Sequence, residues 1–168
     1  MEKEEYRKLI SYWDNKKSVI APKDYVKNVI DEYILSNDTC ALATSSTDYV
    51  RVTPIEYRYD KKKFYIFTEG GHKFIGLENN KNVSLTIFDK FSGFGKLQSV
   101  QVEGTAKIID IDDSEYEYAL SLRGLKKEAL LKMPTKLNLI VVEIKLIDAL
   151  FSKFKADGYD SRQQYTFD

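Results

Sequence analysis

The stretch Phe64-Tyr65-Ile66-Phe67-Thr68-Glu69-Gly70-Gly71-His72-Lys73 carries a strand into a sharp turn and then into a helix. Phe64 and Ile66 alternate with Tyr65 and Phe67, the period of a pleated strand. Two successive glycines free the backbone to turn. A helix is predicted over 71–79, which places His72 and Lys73 in its first turn. A helix N-terminus presents N–H groups and a partial positive charge, so cations are disfavoured there. Lys73 and the single histidine of the chain fit that spot if an anion is shared by backbone N–H groups and side chains. The turn is therefore a candidate phosphate or carboxylate site, with the Glu69 carboxylate read as a helix cap.

Working upstream, Asp60-Lys61-Lys62 reads as a hairpin turn that joins this strand to one over 49–59. There Val50 and Val52 point one way and Arg51, Thr53 and Ile55 the other. Pro54 marks an edge, a bulge or a break in that strand. A short apolar strand over 39–45 precedes it and packs Cys40. Before that, Ala21-Pro22-Lys23-Asp24 starts a helix with Pro in its first turn. Tyr25, Val26, Val29, Ile30, Tyr33 and Ile34 form its apolar face. Residues 3–12 read as a short helix that docks through Tyr6, Leu9, Ile10 and Trp13.

Downstream, strands are predicted over 83–88, 98–110 and 138–147, with a flexible loop at 91–96 and a further short strand at 149–154. Gly104 sits inside the long strand, where it permits a bend or the close approach of another chain. Asp113-Ser114-Glu115 starts a helix continuing to Lys132, with Arg123, Lys126, Lys127 and Lys132 on a solvated basic face. From Lys155 the chain reads as a polar, mobile tail. The hairpins, with helices inserted singly, lack the regular alternation of a parallel sheet. The reading is mainly β with peripheral helices: an antiparallel sheet closed into a small barrel. An open antiparallel α+β sandwich is the alternative. One domain spans 1–168, with N-terminal helices over 1–36, the barrel over 37–154 and the tail over 155–168.

Composition narrows the function. At 168 residues, 43% apolar and 31% charged, the chain supports a sizeable core. Lys plus Arg and Asp plus Glu balance at 26 each, so no overall field draws it to nucleic acid or anionic membrane. The charged start Met1-Glu2-Lys3-Glu4-Glu5 is not a secretory signal, and the longest apolar run is broken by Glu143, Lys145 and Asp148. The cytoplasm is the expected compartment, in keeping with a single cysteine. The 12 Tyr and 9 Phe fit a β-rich core, a flat-ligand pocket or a subunit interface. No metal-spaced ligand set, phosphate loop or Ser-His-Asp order is present. One histidine leaves little for acid–base catalysis and favours chemistry carried by a cofactor.

The segments Cys40–Thr44, Val50–Asp60, Phe64–Lys73 and Leu77–Leu85, continued by Val102-Glu103-Gly104-Thr105-Ala106, resemble the pyridoxamine 5'-phosphate oxidase-like family of FMN-binding split barrels. The resemblance covers about residues 36–148. It implies a six-stranded antiparallel split β-barrel of Greek-key type, working as a homodimer with FMN at the subunit interface. It places the cofactor on Arg51, Val52, Thr53, Pro54, Ile55, Glu56 and Tyr57, on Phe67 and Thr68, and on His72 and Lys73. Ser99 or Gln101 would reach the flavin ring from the partner subunit.

With the Val50–Val52 face taken as core, Arg51 and Thr53 turn either to solvent or to the dimer cleft. His72 is either a phosphate neighbour or solvated. The lysine that meets the substrate phosphate in the oxidase is replaced at Tyr57, implying an aromatic anchor and a less anionic substrate. The oxidase's substrate-binding Tyr, Arg and Ser cluster and its C-terminal Trp and Arg lack counterparts, so oxidation of pyridoxamine phosphate is not implied. The expected function is FMN-dependent transfer of hydride or electrons to an unknown small molecule. The alternatives are a flavin carrier or sensor without turnover, or a barrel using deazaflavin or haem, the last requiring His72 as axial ligand.

Overall fold

The computed structural model describes residues 3–14, 18–60, 62–130, 132 and 134–167. Helix α1 (Lys3–Asp14) forms as expected but leaves Tyr6, Leu9 and Ile10 exposed, so these three do not dock on the body of the chain. The Trp13 side chain lies outside the described residues. Helix α2 (Lys23–Leu35) buries Val26, Val29, Ile30 and Ile34, one face at helical spacing. Pro22 stands at its N-cap, one position before the first turn, and its carbonyl accepts the Val26 N–H at 3.0 Å.

The strands are β1 (Thr39–Ser46), β2 (Tyr49–Glu56), β3 (Arg58–Asp60), β4 (Lys63–Thr68), β5 (Asn82–Phe88), β6 (Gln98–Ile109), β7 (Asn138–Phe151) and β8 (Arg162–Thr166). Helix α3 (Lys73–Asn79) follows β4, and α4 (Ser114–Ser121) and α5 (Lys127–Leu130) lie between β6 and β7. Helix α6 (Ser152–Ala156) links β7 to β8. Every pairing is antiparallel, in the order β2-β1-β5-β6-β7-β4-β3 with β8 on β7. Tyr57 alone separates β2 from β3, so the two ends of this order are successive pieces of one chain segment. The sheet therefore curls into a split barrel.

Among the described residues eight strands replace the expected six, for two reasons. The 49–59 strand divides at Tyr57, its first part pairing with β1 and its last with β4. The segment read as a mobile tail pairs as β8 with the second half of β7, whose first half pairs with β4. Residues 149–151 extend β7, and a helix, not a short strand, follows.

The barrel interior holds Leu42, Phe64, Ile66, Leu85, Val102 and Ile140, closed on one side by α2. A second cluster lies outside β4 and β7, where α4 and α5 cover Tyr65, Phe67, Leu139 and Val141. Strand β4 is thus apolar on both faces because both are buried. Asp113 caps α4, its carboxylate accepting the Glu115 N–H at 2.8 Å. The helix does not continue to Lys132: Gly124 turns left-handed at φ 67°, and the Leu125 N–H returns to the Leu120 carbonyl at 3.0 Å.

Gly104 behaves as its position suggests. The register shifts between Glu103 and Gly104, and a Cβ there would meet the Glu143 carbonyl oxygen of β7 at 2.6 Å. Tyr57 is 1% exposed; it packs edge-on to Phe64 and donates its hydroxyl to the Ile34 carbonyl at 2.6 Å. Tyr57→Phe leaves the ring contact intact and removes one buried hydrogen bond, the Ile34 carbonyl keeping the Asn37 N–H at 3.3 Å, so it should lower the unfolding free energy by about 1 kcal/mol in a denaturant titration.

Candidate functional site

The turn after β4 has the geometry its glycines require. Gly70 and Gly71 adopt φ 137° and 99°, which ordinary side chains resist. Asn138, at the start of β7, donates its amide to the Thr68 and Glu69 carbonyls at 3.3 Å each and so pins the turn to the sheet. The sequence offers no cue to that role, because the contact depends on the β4–β7 register. Glu69 is exposed and caps nothing; His72, also exposed, occupies the N-cap position and makes no side-chain cap. Helix α3 begins at Lys73 and has seven residues, so its terminus contributes less to an anion site than a longer helix would.

Lys73 supplies the charge instead. It is 6% exposed, and its ammonium donates to Thr68 Oγ1 at 2.8 Å and to the Gly70 carbonyl. Burial first, then the nearby Arg51 guanidinium, hold its pKa below the usual lysine value. Among the described residues no carboxylate lies within 4 Å of Lys73 or Arg51. A buried ammonium held by neutral oxygens beside a second cation is an unbalanced positive site. It suits an anion.

Strand β2 has the opposite facing from the one expected. Val50 and Val52 are 75% and 59% exposed, whereas Thr53 and Ile55 stand opposite the buried Leu42 and Cys40 of β1. Arg51 shares that inward parity, opposite Thr44, at the end of the barrel near Lys73. Among the described residues the buried Thr53 and Thr44 hydroxyls have no hydrogen-bond partner. Pro54 sits on a strand with one edge paired, as its missing N–H demands. Ile55 packs on the core. Tyr57 faces the barrel interior rather than an open surface, so the expectation of an aromatic substrate anchor there is corrected.

Phe67 and Thr68 are buried at the end of β4, Phe67 edge-on to Tyr116. Arg123 was expected on a solvated helix face. Its guanidinium instead lies 5.2 Å from the Phe67 ring centre, and Nη2 meets Glu56 Oε2 at 2.6 Å. Glu56 also takes Arg58 Nη1 at 2.8 Å, and the buried Arg123 Nε has no partner among the described residues. Sequence spacing could not reveal this, since Gly124 swings Arg123 off the helix. Ser99 is half-buried and Gln101 exposed on β6, where they pair with Leu150 and Asp148 of β7, whereas Thr68 pairs with Asn138 at the start of β7, so one chain does not bring them to the Lys73 turn.

The remaining chemistry is sparse. Burial pushes the Cys40 thiol up to about 12, which leaves it inert at neutral pH. Among the described residues no three His, Cys, Asp or Glu side chains gather as a metal site, and no helix is long and apolar enough to cross a membrane.

Comparison with known proteins places the fold. No curated protein matches the chain. A putative pyridoxamine 5'-phosphate oxidase from Corynebacterium glutamicum superposes with a TM-score of 0.59 at 22% identity, over 90% of this chain and all of that one. An FAD-binding protein from Mesorhizobium loti gives 0.55 at 20% identity, over 70% of this chain and 88% of that one. The haem storage protein HutZ from Vibrio cholerae gives 0.59 at 13% identity, over 70% and 89%. One fold thus serves proteins named for different cofactors. The family profile of pyridoxamine 5'-phosphate oxidase matches residues 26–151, which take in β1 to β7 and the Lys73 turn, and the chain belongs to that family.

Proposed function

We propose that the chain binds FMN as a homodimer and is an FMN-dependent oxidoreductase acting on a small molecule other than pyridoxamine phosphate. The carrying observation is the buried Lys73 ammonium within the electrostatic reach of the exposed Arg51, with no carboxylate within 4 Å of either among the described residues. A phosphate monoester carries a charge of about −1.5 to −2 at neutral pH, which two cations balance. Lys73 and Arg51 would hold the phosphate, with Thr68 Oγ1 keeping Lys73 in place and His72 at the rim. The ring would lie along Val52–Glu56, where β2 offers an unpaired edge and Thr53 a hydroxyl without a partner. Phe67 would border it, and Ser99 or Gln101 would come from the second copy.

Bound FMN would supply hydride or electron transfer. The chain's own contribution is to fix the phosphate, orient the ring and exclude water. The experiment is the visible spectrum of the purified protein, with chromatographic identification of whatever heat releases. A flavin spectrum and released FMN support the reading, and reduction of that flavin by NADH or NADPH separates an enzyme from a carrier. A haem spectrum, or a colourless protein that fails to bind added FMN, overturns it.

A further inference from the structure

Strand β7 carries one residue more than its ladder with β6 uses. Glu103 stands opposite Leu146 and Gly104 opposite Ile144, which leaves Lys145 unpaired in a β-bulge. Ile144 and Ile147 both belong to the barrel core, so Lys145 and Leu146 between them turn outward together. Bulges of this kind re-aim a side chain. Here the bulge brings an exposed ammonium to the same outer face as the exposed Glu103 carboxylate.

Opposite charges on neighbouring strands ordinarily pair. These two do not. Among the described residues neither Glu103 nor Lys145 has an opposite charge within 4 Å. Lys145 donates instead to Asn82 Oδ1 at 3.2 Å. Asn82 is held in turn: its backbone N–H donates to Asn80 Oδ1 at 3.0 Å, and the Asn80 amide donates to Ser45 Oγ at 3.1 Å. This chain of contacts keeps the lysine from the glutamate. Glu143, two residues before Lys145, is taken by Lys107 at 2.9 Å. Glu103 and Lys145 line one cleft of about 480 Å³, together with the hydroxyls of Ser45 and Ser84 and the apolar side chains of Ala43 and Val50. That volume suits a small molecule.

An acid and a base that share a cleft but not each other are complementary to a small ligand carrying both charges. We propose that this cleft binds a free apolar α-amino acid. Its ammonium donates to the Glu103 carboxylate, its carboxylate accepts from the Lys145 ammonium, and its side chain lies against Ala43 and Val50. Residues inside a peptide lack both charges and are not recognised. The site does not rest on the flavin reading, since neither Lys73 nor Arg51 is among the described residues that line it.

Isothermal titration calorimetry of the full chain with leucine, isoleucine, valine, methionine and phenylalanine at millimolar concentration tests it. At least one should bind, and its N-acetyl and amide derivatives should each bind at least about tenfold more weakly. Glu103→Gln should abolish the discrimination against the N-acetyl form, and Lys145→Met the discrimination against the amide. Both positions are exposed, so both variants should keep the wild-type melting temperature. Failure of all five amino acids to bind overturns the proposal. So does wild-type binding of the blocked forms as tight as that of the free amino acid, or a loss in the two variants that ignores which end is blocked.

Discussion

Lys73→Ala is expected to weaken FMN binding at least tenfold while leaving the fold intact, measured by fluorescence titration alongside thermal unfolding. A charge-assisted hydrogen bond contributes about 1.5–3 kcal/mol, which is roughly a 10- to 200-fold change in affinity. The apo protein gives an opposite signal. Its buried ammonium meets neutral oxygens, feels the Arg51 guanidinium and has no carboxylate within 4 Å among the described residues, so Lys73→Met removes a desolvated charge and should not lower the melting temperature.

The pH dependence follows from the same asymmetry. The folded pKa of Lys73 is lowered from 10.5, so in the window below 10.5 the unfolded chain holds the proton more tightly. Stability rises with pH wherever the unfolded state binds more protons. Ligand-free wild type should therefore gain stability relative to Lys73→Met as pH rises through that window, and bound phosphate should abolish the gain. Parallel denaturant titrations across the window check the sign.

Gly76→Ala is expected to be the most damaging single methyl group in the helix that carries the site. A Cβ there would stand 2.7 Å from the Ser45 backbone nitrogen and 2.8 Å from Thr44 Cβ and Oγ1. The nearest of these atoms is backbone, and Thr44 is buried, so α3 must move off β1. Overpacking of this kind costs about 1–3 kcal/mol, occasionally more, or several degrees of melting temperature for a domain this size. Lys73 begins the same helix and shifts with it, so FMN affinity should fall together with stability. That joint loss distinguishes Gly76→Ala from Lys73→Ala, which separates the two readouts.

The β4–turn–α3 segment was legible in the sequence because each cue there is local: alternation, a glycine pair and an ammonium next to the turn. Gly104 was legible for the same reason. The facing of β2 was not. Its residues carry apolar side chains on both parities, and only the β1 register, which sets Thr53 against Leu42 and Ile55 against Cys40, decides which points inward. The split at Tyr57 was hidden because that side chain fits either a strand or a core; it is the tertiary contact with Ile34 that turns it in.

Strand β8 escaped because Arg162-Gln163-Gln164-Tyr165-Thr166 shows little apolar alternation. It is held by its ladder to β7 and by Gln163, whose Oε1 accepts the Ala21 N–H at 3.0 Å and whose amide donates to the Asp160 carbonyl at 2.7 Å. A buried glutamine that ties two distant segments leaves no periodic signature. Arg123 was missed through the opposite error, a helix extended past the glycine that ends it. Within the site, the cation on the turn was therefore readable, while the groups that surround it were fixed by non-local pairing.

The central claim is that Arg51 and Lys73 form a phosphate site for FMN. Titration of the cofactor-free protein with FMN and with riboflavin, which has the same ring and no phosphate, tests it most directly. The account predicts that FMN binds at least tenfold more tightly than riboflavin to the wild type and that Lys73→Ala removes most of this difference. Equal affinity of the wild type for the two would contradict it.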